Sequence, residues 1–121
     1  MSSPPAPSAA KTLFEKIIAR EIPATIVHED DLCIGIRDIN PTAPVHILLI
    51  PKKPMPRLCD AVPEDQALLG HLMLKATAIA EAEGYGDAYR LVVNNGAAAG
   101  QSVFHLHLHI IAGRPLKWPP G

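Results

Sequence analysis

Cysteine is scarce in this sequence, which limits how the chain can be held together. Only Cys33 and Cys59 occur among 121 residues, and they do not form a Cys-x-x-Cys pair. A scaffold built on disulfides is therefore not expected. We expect both thiols to be reduced, with Cys33 buried and Cys59 in a loop, as in a cytoplasmic protein.

An excess of charge and a long apolar run are also lacking. The sequence has twelve acidic and eleven basic residues. The resulting net charge of −1 argues against a surface that binds nucleic acid along its length. No apolar run approaches the roughly 18 residues that span a bilayer. Residues 1–10, MSSPPAPSAA, lack the apolar centre of a secretory signal. We expect them to form a disordered tail before one domain over 11–121.

Turn residues and apolar periodicity divide that domain into seven elements. Thr12 and Glu15 have the spacing of a helix-capping box, and the helix should end before Pro23. A longer helix is predicted from Pro63 to Gly84. The predicted strands are 24–28, 32–37, 45–50, 89–94 and 102–111. This order predicts an α+β domain, in which a five-stranded antiparallel sheet is covered by the long helix.

The most unusual stretch is HLHLHI, residues 105–110, in which three histidines alternate with apolar residues. On a strand, alternate side chains share one face. The leucines should then face the core under the long helix, and the imidazoles should face outward from the sheet.

Three explanations can account for this row of histidines. Solvated strand histidines need no function, but histidine has no special strand propensity. A zinc site is disfavoured because His105 and His109 would lie roughly 13 Å apart at about 3.3 Å per residue. Nucleophilic catalysis is favoured, since a neutral imidazole keeps a lone pair near pH 7. We therefore predict neither a metal nor a cofactor.

A loop rich in glycine and alanine, residues 94–102, comes immediately before the histidines. Gly96 and Gly100 let backbone N–H groups turn toward an anion, and Gln101 and Ser102 carry further donors. Such a loop is most often only a turn, but beside a histidine row it favours a phosphorus centre as the target.

Five segments together resemble the histidine triad family. They are GQSVFHLHLHII (100–111), DINP (38–41), APVH (43–46), IPKK (50–53) and WPPG (118–121). The closing WPPG is similar to the Hint branch rather than the dinucleoside-polyphosphate hydrolase branch. The resemblance implies hydrolysis of the P–N bond in purine nucleoside 5′-phosphoramidates, with AMP or GMP conjugates as partners.

The resemblance also implies roles for the matched residues. His107 would be the nucleophile that forms a nucleotidyl-histidine intermediate, and His109 would donate to the phosphate oxygens. His105, with His46 behind it, would support and polarise the centre, and Ser102 would lie near the phosphate.

Other matched residues would hold the nucleotide. Asn94 would lie near the leaving group, while the backbone of Gly100 and Gln101 would help to cradle the phosphate. Asp38, followed by Ile39, would accept bonds from the ribose hydroxyls, although by itself it is an ordinary turn aspartate. The base pocket would be lined by Phe14, Ile17, Ile22 and Ile36, which could equally be core.

The resemblance further implies a homodimer with one continuous ten-stranded sheet. A second apolar face of the long helix, at Leu74, Ala78 and Ala82, is the other expected contact. Trp118 should be docked because it buries a large area, and by resemblance it would reach the partner's site. Two rivals remain: a nucleotide-binding interaction protein with vestigial catalysis, and a zinc-binding regulator.

Overall fold

The computed structural model describes residues 11–121, so the tail predicted over 1–10 lies outside the described residues. Helix α1 (Leu13–Ile18) begins at the predicted capping box. The Glu15 amide donates to the Thr12 hydroxyl at 3.2 Å, and the Thr12 amide donates to the Glu15 carboxylate at 2.9 Å. The helix ends at Ile18, five residues before Pro23, in agreement with the predicted end before that proline.

Over residues 11–121, five antiparallel strands form one sheet. They are β1 (Ile26–Glu29), β2 (Cys33–Arg37), β3 (Val45–Pro51), β4 (Tyr89–Val92) and β5 (Leu108–Ala112). Their order is β1-β2-β3-β5-β4, so β1 and β4 are the edges. The predicted α+β class, a five-stranded antiparallel sheet under one long helix, is confirmed.

The long helix, α2 (Gln66–Ala82), follows a single 3-10 turn at Pro63–Asp65. It stops before Gly84, whose φ of +94° is open to glycine and strained for other residues. Its buried side chains are Leu72, Ala76, Ile79 and Ala80. Met73 on the same helix is 52% exposed. No helix over residues 11–121 is both long and apolar enough to cross a membrane.

The sheet buries both of its faces. One face packs against α2 through Ile47, Leu49, Leu106, Leu108 and Ile110. The opposite face packs against α1 through Phe14, Ile17, Ile34, Ile36, Leu48 and Ile50. The side chains of β3 point alternately toward these two clusters. Every residue of this strand is therefore buried.

The last strand differs from its prediction. β5 begins at Leu108 rather than Ser102, and residues 102–107 are irregular. The ladder between β3 and β5 stops at the pair Leu49 and Leu108. Beyond it Pro51 has no N–H to donate, and its carbonyl accepts a hydrogen bond from the His105 side chain. The chain therefore leaves the sheet at this point.

Candidate active site

The three histidines share one side of the chain although only His109 lies on a strand. Leu106 and Leu108 pack under α2, and the imidazoles lie on the α1 side of the sheet. The expectation that the histidines face outward is corrected, because His105 is 1% and His107 8% exposed. Phe14 covers them, with its ring centroid 4.8 Å from that of His107. The leucines face the core under α2 as expected. Helix α1 covers the histidines on the opposite face.

His107 is held in one tautomer by its own backbone. Its Nδ1–H donates to the carbonyl oxygen of His105 at 2.8 Å. Nε2 therefore carries the lone pair, and His107 lines an open cavity. Burial lowers the pKa of His107 from its ordinary value of 6.5, so the imidazole is neutral at pH 7.

A second chain of hydrogen bonds fixes His46 and His109. The Thr42 amide donates to Nδ1 of His46 at 3.1 Å, so the hydrogen of that ring is on Nε2. Nε2 of His46 donates to Nδ1 of His109 at 2.9 Å, which leaves the hydrogen of His109 on its own Nε2. Burial, with the neighbouring imidazoles of His107 and His46, lowers the pKa of His109 to about 4. His109 is therefore a neutral imidazole that can donate from Nε2, and it lies beside the neutral His107, whose Nε2 carries a lone pair.

His105 is a packing residue rather than a lining one. Its Nε2–H donates to the carbonyl oxygen of Pro51 at 2.7 Å, and Phe14 contacts its ring edge-on with centroids 6.2 Å apart. Nδ1 is buried and has no hydrogen-bond partner among residues 11–121. Burial lowers the pKa of His105, because a charge could not be solvated there. The ring supports the backbone that holds His107.

A cavity of about 330 Å³ opens in front of His107 and His109. Nine of the predicted site residues line it: Phe14, Ile17, Ile22, Ile36, Asp38, Ile39, Ser102, His107 and His109. Its walls are largely aliphatic, with polar groups at one end, as in sites for small ligands.

Asp38 lies at the polar end of this cavity. Its Oδ1 accepts from the Asn40 amide at 2.8 Å, and its Oδ2 lies 3.4 Å from Nε2 of His46. The fixed carboxylate thus faces both the cavity and the histidine chain. Ile39 beside it is 91% exposed at the rim, where a ligand could cover it.

The loop over 94–102 differs from the expected anion cradle. The amides of Gly100 and Gln101 donate to carbonyls within the loop itself. The Gln101 side chain donates to the carbonyl oxygens of Pro56 and Val103 at 2.7 and 3.0 Å. Gln101 therefore holds the loop together, and neither residue has a free donor for phosphate. Sequence alone could not show that these donors are already used.

The remaining predicted residues lie in different surroundings. Ser102 is exposed and lines the cavity, whereas the half-buried Asn94 packs near Gly100 behind it. Trp118 is 82% exposed, so it is not docked on its own subunit. Two contributors were missed by the sequence, the Thr42 amide and the Pro51 carbonyl. Both act through the backbone, so no side-chain pattern could have identified them.

The lowered histidine pKa values predict an unusual pH profile for any reaction that uses neutral His107. Lowered pKa values keep the imidazoles neutral below pH 6.5, so activity should stay constant from about pH 8 to 6.5 and fall only at lower pH. The measurement is kcat/KM from pH 4 to 8 in buffers of constant ionic strength. An acid limb with an apparent pKa at or above 6.5 would contradict the buried, neutral geometry.

Comparison with known proteins places this site in a family. The family model described as HIT domain matches residues 19–116. An uncharacterized HIT-like protein of Synechocystis is 66% identical over 113 residues, covering 93% of this chain and 99% of that protein. One from Synechococcus elongatus is 60% identical over 110 residues, covering 91% and 96%.

Solved structures agree with the sequence comparison. A HIT family hydrolase from Legionella pneumophila superposes with a TM-score of 0.90 at 46% identity, covering 92% of this chain and 100% of that one. A HIT family hydrolase from Clostridium thermocellum superposes with a TM-score of 0.84 at 43% identity, covering 88% and 93%. The chain thus has the fold of these hydrolases, and it belongs to the HIT domain family.

Proposed function

We propose that this chain is a Hint-branch hydrolase that cleaves the P–N bond of purine nucleoside 5′-phosphoramidates. The observation that carries the proposal is the fixed tautomer of His107. Its Nδ1–H donates a hydrogen bond to the carbonyl oxygen of His105, with 2.8 Å between nitrogen and oxygen. The ring lines a cavity of a size that suits a nucleoside. A neutral, oriented imidazole is the nucleophile that such a reaction requires.

In the first step Nε2 of His107 attacks phosphorus. A nitrogen–phosphorus bond forms and the P–N bond of the substrate breaks. The amine nitrogen keeps the bonding electrons and takes up a proton from solvent water. His109, whose hydrogen is on Nε2, donates to a phosphoryl oxygen as charge develops there. Ser102 at the cavity wall is the second donor.

In the second step water cleaves the nucleotidyl-histidine. The water oxygen bonds to phosphorus and loses a proton to solvent. The bond to His107 breaks, its electrons return to Nε2, and the nucleoside monophosphate leaves. The burial that lowers the pKa of His107 favours its return to the neutral form. Asp38, 3.4 Å from His46, keeps a negative charge close to the imidazoles while positive charge is transient there.

The rest of the cavity suits the nucleoside. Asp38 has Oδ2 near the cavity, and a carboxylate can accept hydrogen bonds from the two ribose hydroxyls. The aliphatic wall includes Ile17, Ile22 and Ile36, which can pack on the faces of a purine ring. Proteins named as hydrolases among the structural neighbours support hydrolysis as the reaction class.

An assay of AMP release from adenosine 5′-phosphoramidate tests the proposal. We expect steady turnover with the phosphoramidate and at most slow turnover with a dinucleoside polyphosphate of matched nucleoside. Binding of AMP without any turnover of the phosphoramidate would contradict the enzyme and favour the nucleotide-binding interaction protein instead. Preferred cleavage of the polyphosphate would contradict the Hint branch.

We also propose a homodimer built on the free β4 edge and the exposed side of α2. β4 is a short edge strand, and edge strands have unpaired N–H and C=O groups. On α2, the neighbouring apolar side chains of Met73 and Leu74 are 52% and 74% exposed, so a partner subunit could cover both. Pairing of two β4 strands across a two-fold axis would give a ten-stranded sheet and cover both features.

Removal of the tail after Gly113 should leave the dimer intact but change which amines are accepted as leaving groups. The tail carries Trp118, 82% exposed on its own subunit, which we expect to reach the partner's cavity. Sedimentation measures the dimer, and kcat/KM across a series of amines measures selectivity. A Trp118→Ala variant of the full chain is the matched control and should give the same shift. Unchanged selectivity in both proteins would contradict this role, and a wild-type monomer at micromolar concentration would contradict the dimer.

A further inference from the structure

A second cluster of side chains of the types that can ligate a metal lies away from the cavity, at the turn between β1 and β2. It consists of His28, Asp30, Cys33 and His71, of which the first three belong to the hairpin and the last to α2. Cys33 packs with the core under α2, whereas His107 lies on the α1 side of the sheet. All six histidines of the chain thus belong to one of two separate groups.

The side chains of this second cluster converge on one carboxylate oxygen. Nε2 of His28 lies 2.7 Å and Nε2 of His71 lies 2.9 Å from Oδ2 of Asp30. The Cys33 sulfur lies 3.4 Å from the same oxygen. One ligand atom each from His28, Asp30 and Cys33 falls within 4.8 Å of the others.

The turn itself does not need this arrangement. Oδ1 of Asp30 accepts from the amides of Leu32 and Cys33 at 2.8 and 2.9 Å, and these two bonds close the turn. They also fix the carboxylate so that Oδ2 faces the imidazoles. A turn aspartate requires neither a thiol with no exposed surface nor two imidazoles on its second oxygen. His28, Asp30 and Cys33 thus already hold one ligand atom each within 4.8 Å of the others, and Nε2 of His71 approaches the same carboxylate oxygen at 2.9 Å.

We propose that this cluster binds one Zn²⁺ ion through His28, Asp30, Cys33 and His71. Imidazole nitrogen, thiolate sulfur and carboxylate oxygen are the three ligand types that zinc takes in proteins, and four of them close a tetrahedral site. The backbone bonds to Oδ1 are the outer-shell contacts that hold a zinc carboxylate in place. With no open position, the ion is structural and ties the β1–β2 hairpin to α2.

Metal binding here displaces protons in a defined way. Burial, with Asp30 beside it, raises the pKa of Cys33 to about 12, so the metal-free thiol is protonated. The ion takes the place of the thiol proton, which is released to solvent. Each imidazole would coordinate through Nε2, the nitrogen that already faces Asp30.

Titration of the chelator-treated full chain with Zn²⁺ and Co²⁺ tests the site. We expect one ion per chain, and the Co²⁺ form should show a thiolate-to-cobalt charge-transfer band and tetrahedral ligand-field bands. Cys33→Ser should lose the charge-transfer band, whereas Cys59→Ser, the matched control at the exposed cysteine, should keep it. Zn²⁺ should raise the Tm of the wild type and of Cys59→Ser.

Two further variants keep the test independent of how well Cys33→Ser folds. His28→Gln and His71→Gln replace partly exposed side chains, and each should weaken Zn²⁺ binding by more than the roughly 10- to 100-fold that outer-shell changes cause. The absence of tight binding in the wild type would overturn the proposal. The proposal would also be overturned if Zn²⁺ bound equally well to both His→Gln variants and the Co²⁺ form showed no thiolate band. The ion would then lie at Asp38, His46 and His109 instead. Neither readout depends on P–N hydrolysis.

Discussion

Replacing His107 by alanine is expected to lower kcat for phosphoramidate hydrolysis by a factor on the order of 10⁴ to 10⁶. The proposed reaction forms its covalent bond at Nε2 of this ring, and His109 cannot take over. Nδ1 of His109 accepts from His46, so its Nε2 carries a hydrogen and has no free lone pair. The orientation of His107 depends on one hydrogen bond to the His105 carbonyl.

Trapping of the intermediate makes this prediction specific. Acid-quenched enzyme should carry an AMP group on His107, located by mass spectrometry of the peptides. His109→Gln is the matched control: it should react more slowly but still be labelled at His107. Label on another histidine, or more than a few per cent of activity in His107→Ala, would contradict the assignment.

The fold of the His107→Ala protein needs its own measurement. By sequence alone this residue would be a strand-surface histidine with little packing, but its ring is 8% exposed and contacts Phe14 edge-on. Truncation therefore opens a gap between α1 and the sheet. A thermal unfolding curve of the variant separates a lost nucleophile from a lost fold.

Replacing His105 by alanine is expected to reduce the free energy of unfolding by about 2 to 4 kcal/mol at pH 7. The change removes a ring that is 1% exposed and leaves the Pro51 carbonyl without its donor at 2.7 Å. It also frees the backbone that orients His107, so activity should fall together with stability. Urea denaturation gives the loss, and Phe104→Ala, a neighbour that is 43% exposed, should cost less.

The reduction in the free energy of unfolding caused by His105→Ala should depend on pH. A purely apolar packing residue would show no such dependence. The folded pKa of His105 is lowered below 6.5, so the unfolded chain takes up the proton first. Stability is therefore fully present above about pH 6.5 and is lost as pH falls toward the folded pKa. The difference between wild type and His105→Ala should narrow from pH 7 to pH 5. A constant difference would contradict a neutral, buried imidazole.

Local sequence signals predicted most of the fold. The capping box at Thr12, the turn between β1 and β2 and the glycine stop at Gly84 act within a few residues, and each was found where the sequence placed it. The alternation in HLHLHI also placed the leucines under the long helix. Such signals depend on local backbone preference and on which face is apolar, and a sequence contains both.

The resemblance and the spacing together also predicted most residues of the cavity. Asp38, Ser102, His107 and His109 line it as expected, together with the aliphatic residues proposed for the base. Their roles in catalysis stay predictions until they are measured. The sequence could indicate these side chains because each carries its own chemistry.

Only the tertiary structure decided where the histidine strand begins, because that depends on the other strand. Pro51 of β3 cannot donate and gives its carbonyl to His105, so β5 starts at Leu108. The tautomers of His46 and His109 likewise depend on a backbone amide at Thr42.

Partners brought close only by folding also explain two other features. The amides of the loop over 94–102 bond within the loop, and His71 contacts Asp30 although 41 residues of chain separate them. Sequence determines which groups can bond and which face is apolar. Which partner each polar group takes is decided by competition among all the groups that folding brings within about 3 Å, and most of these are distant in sequence.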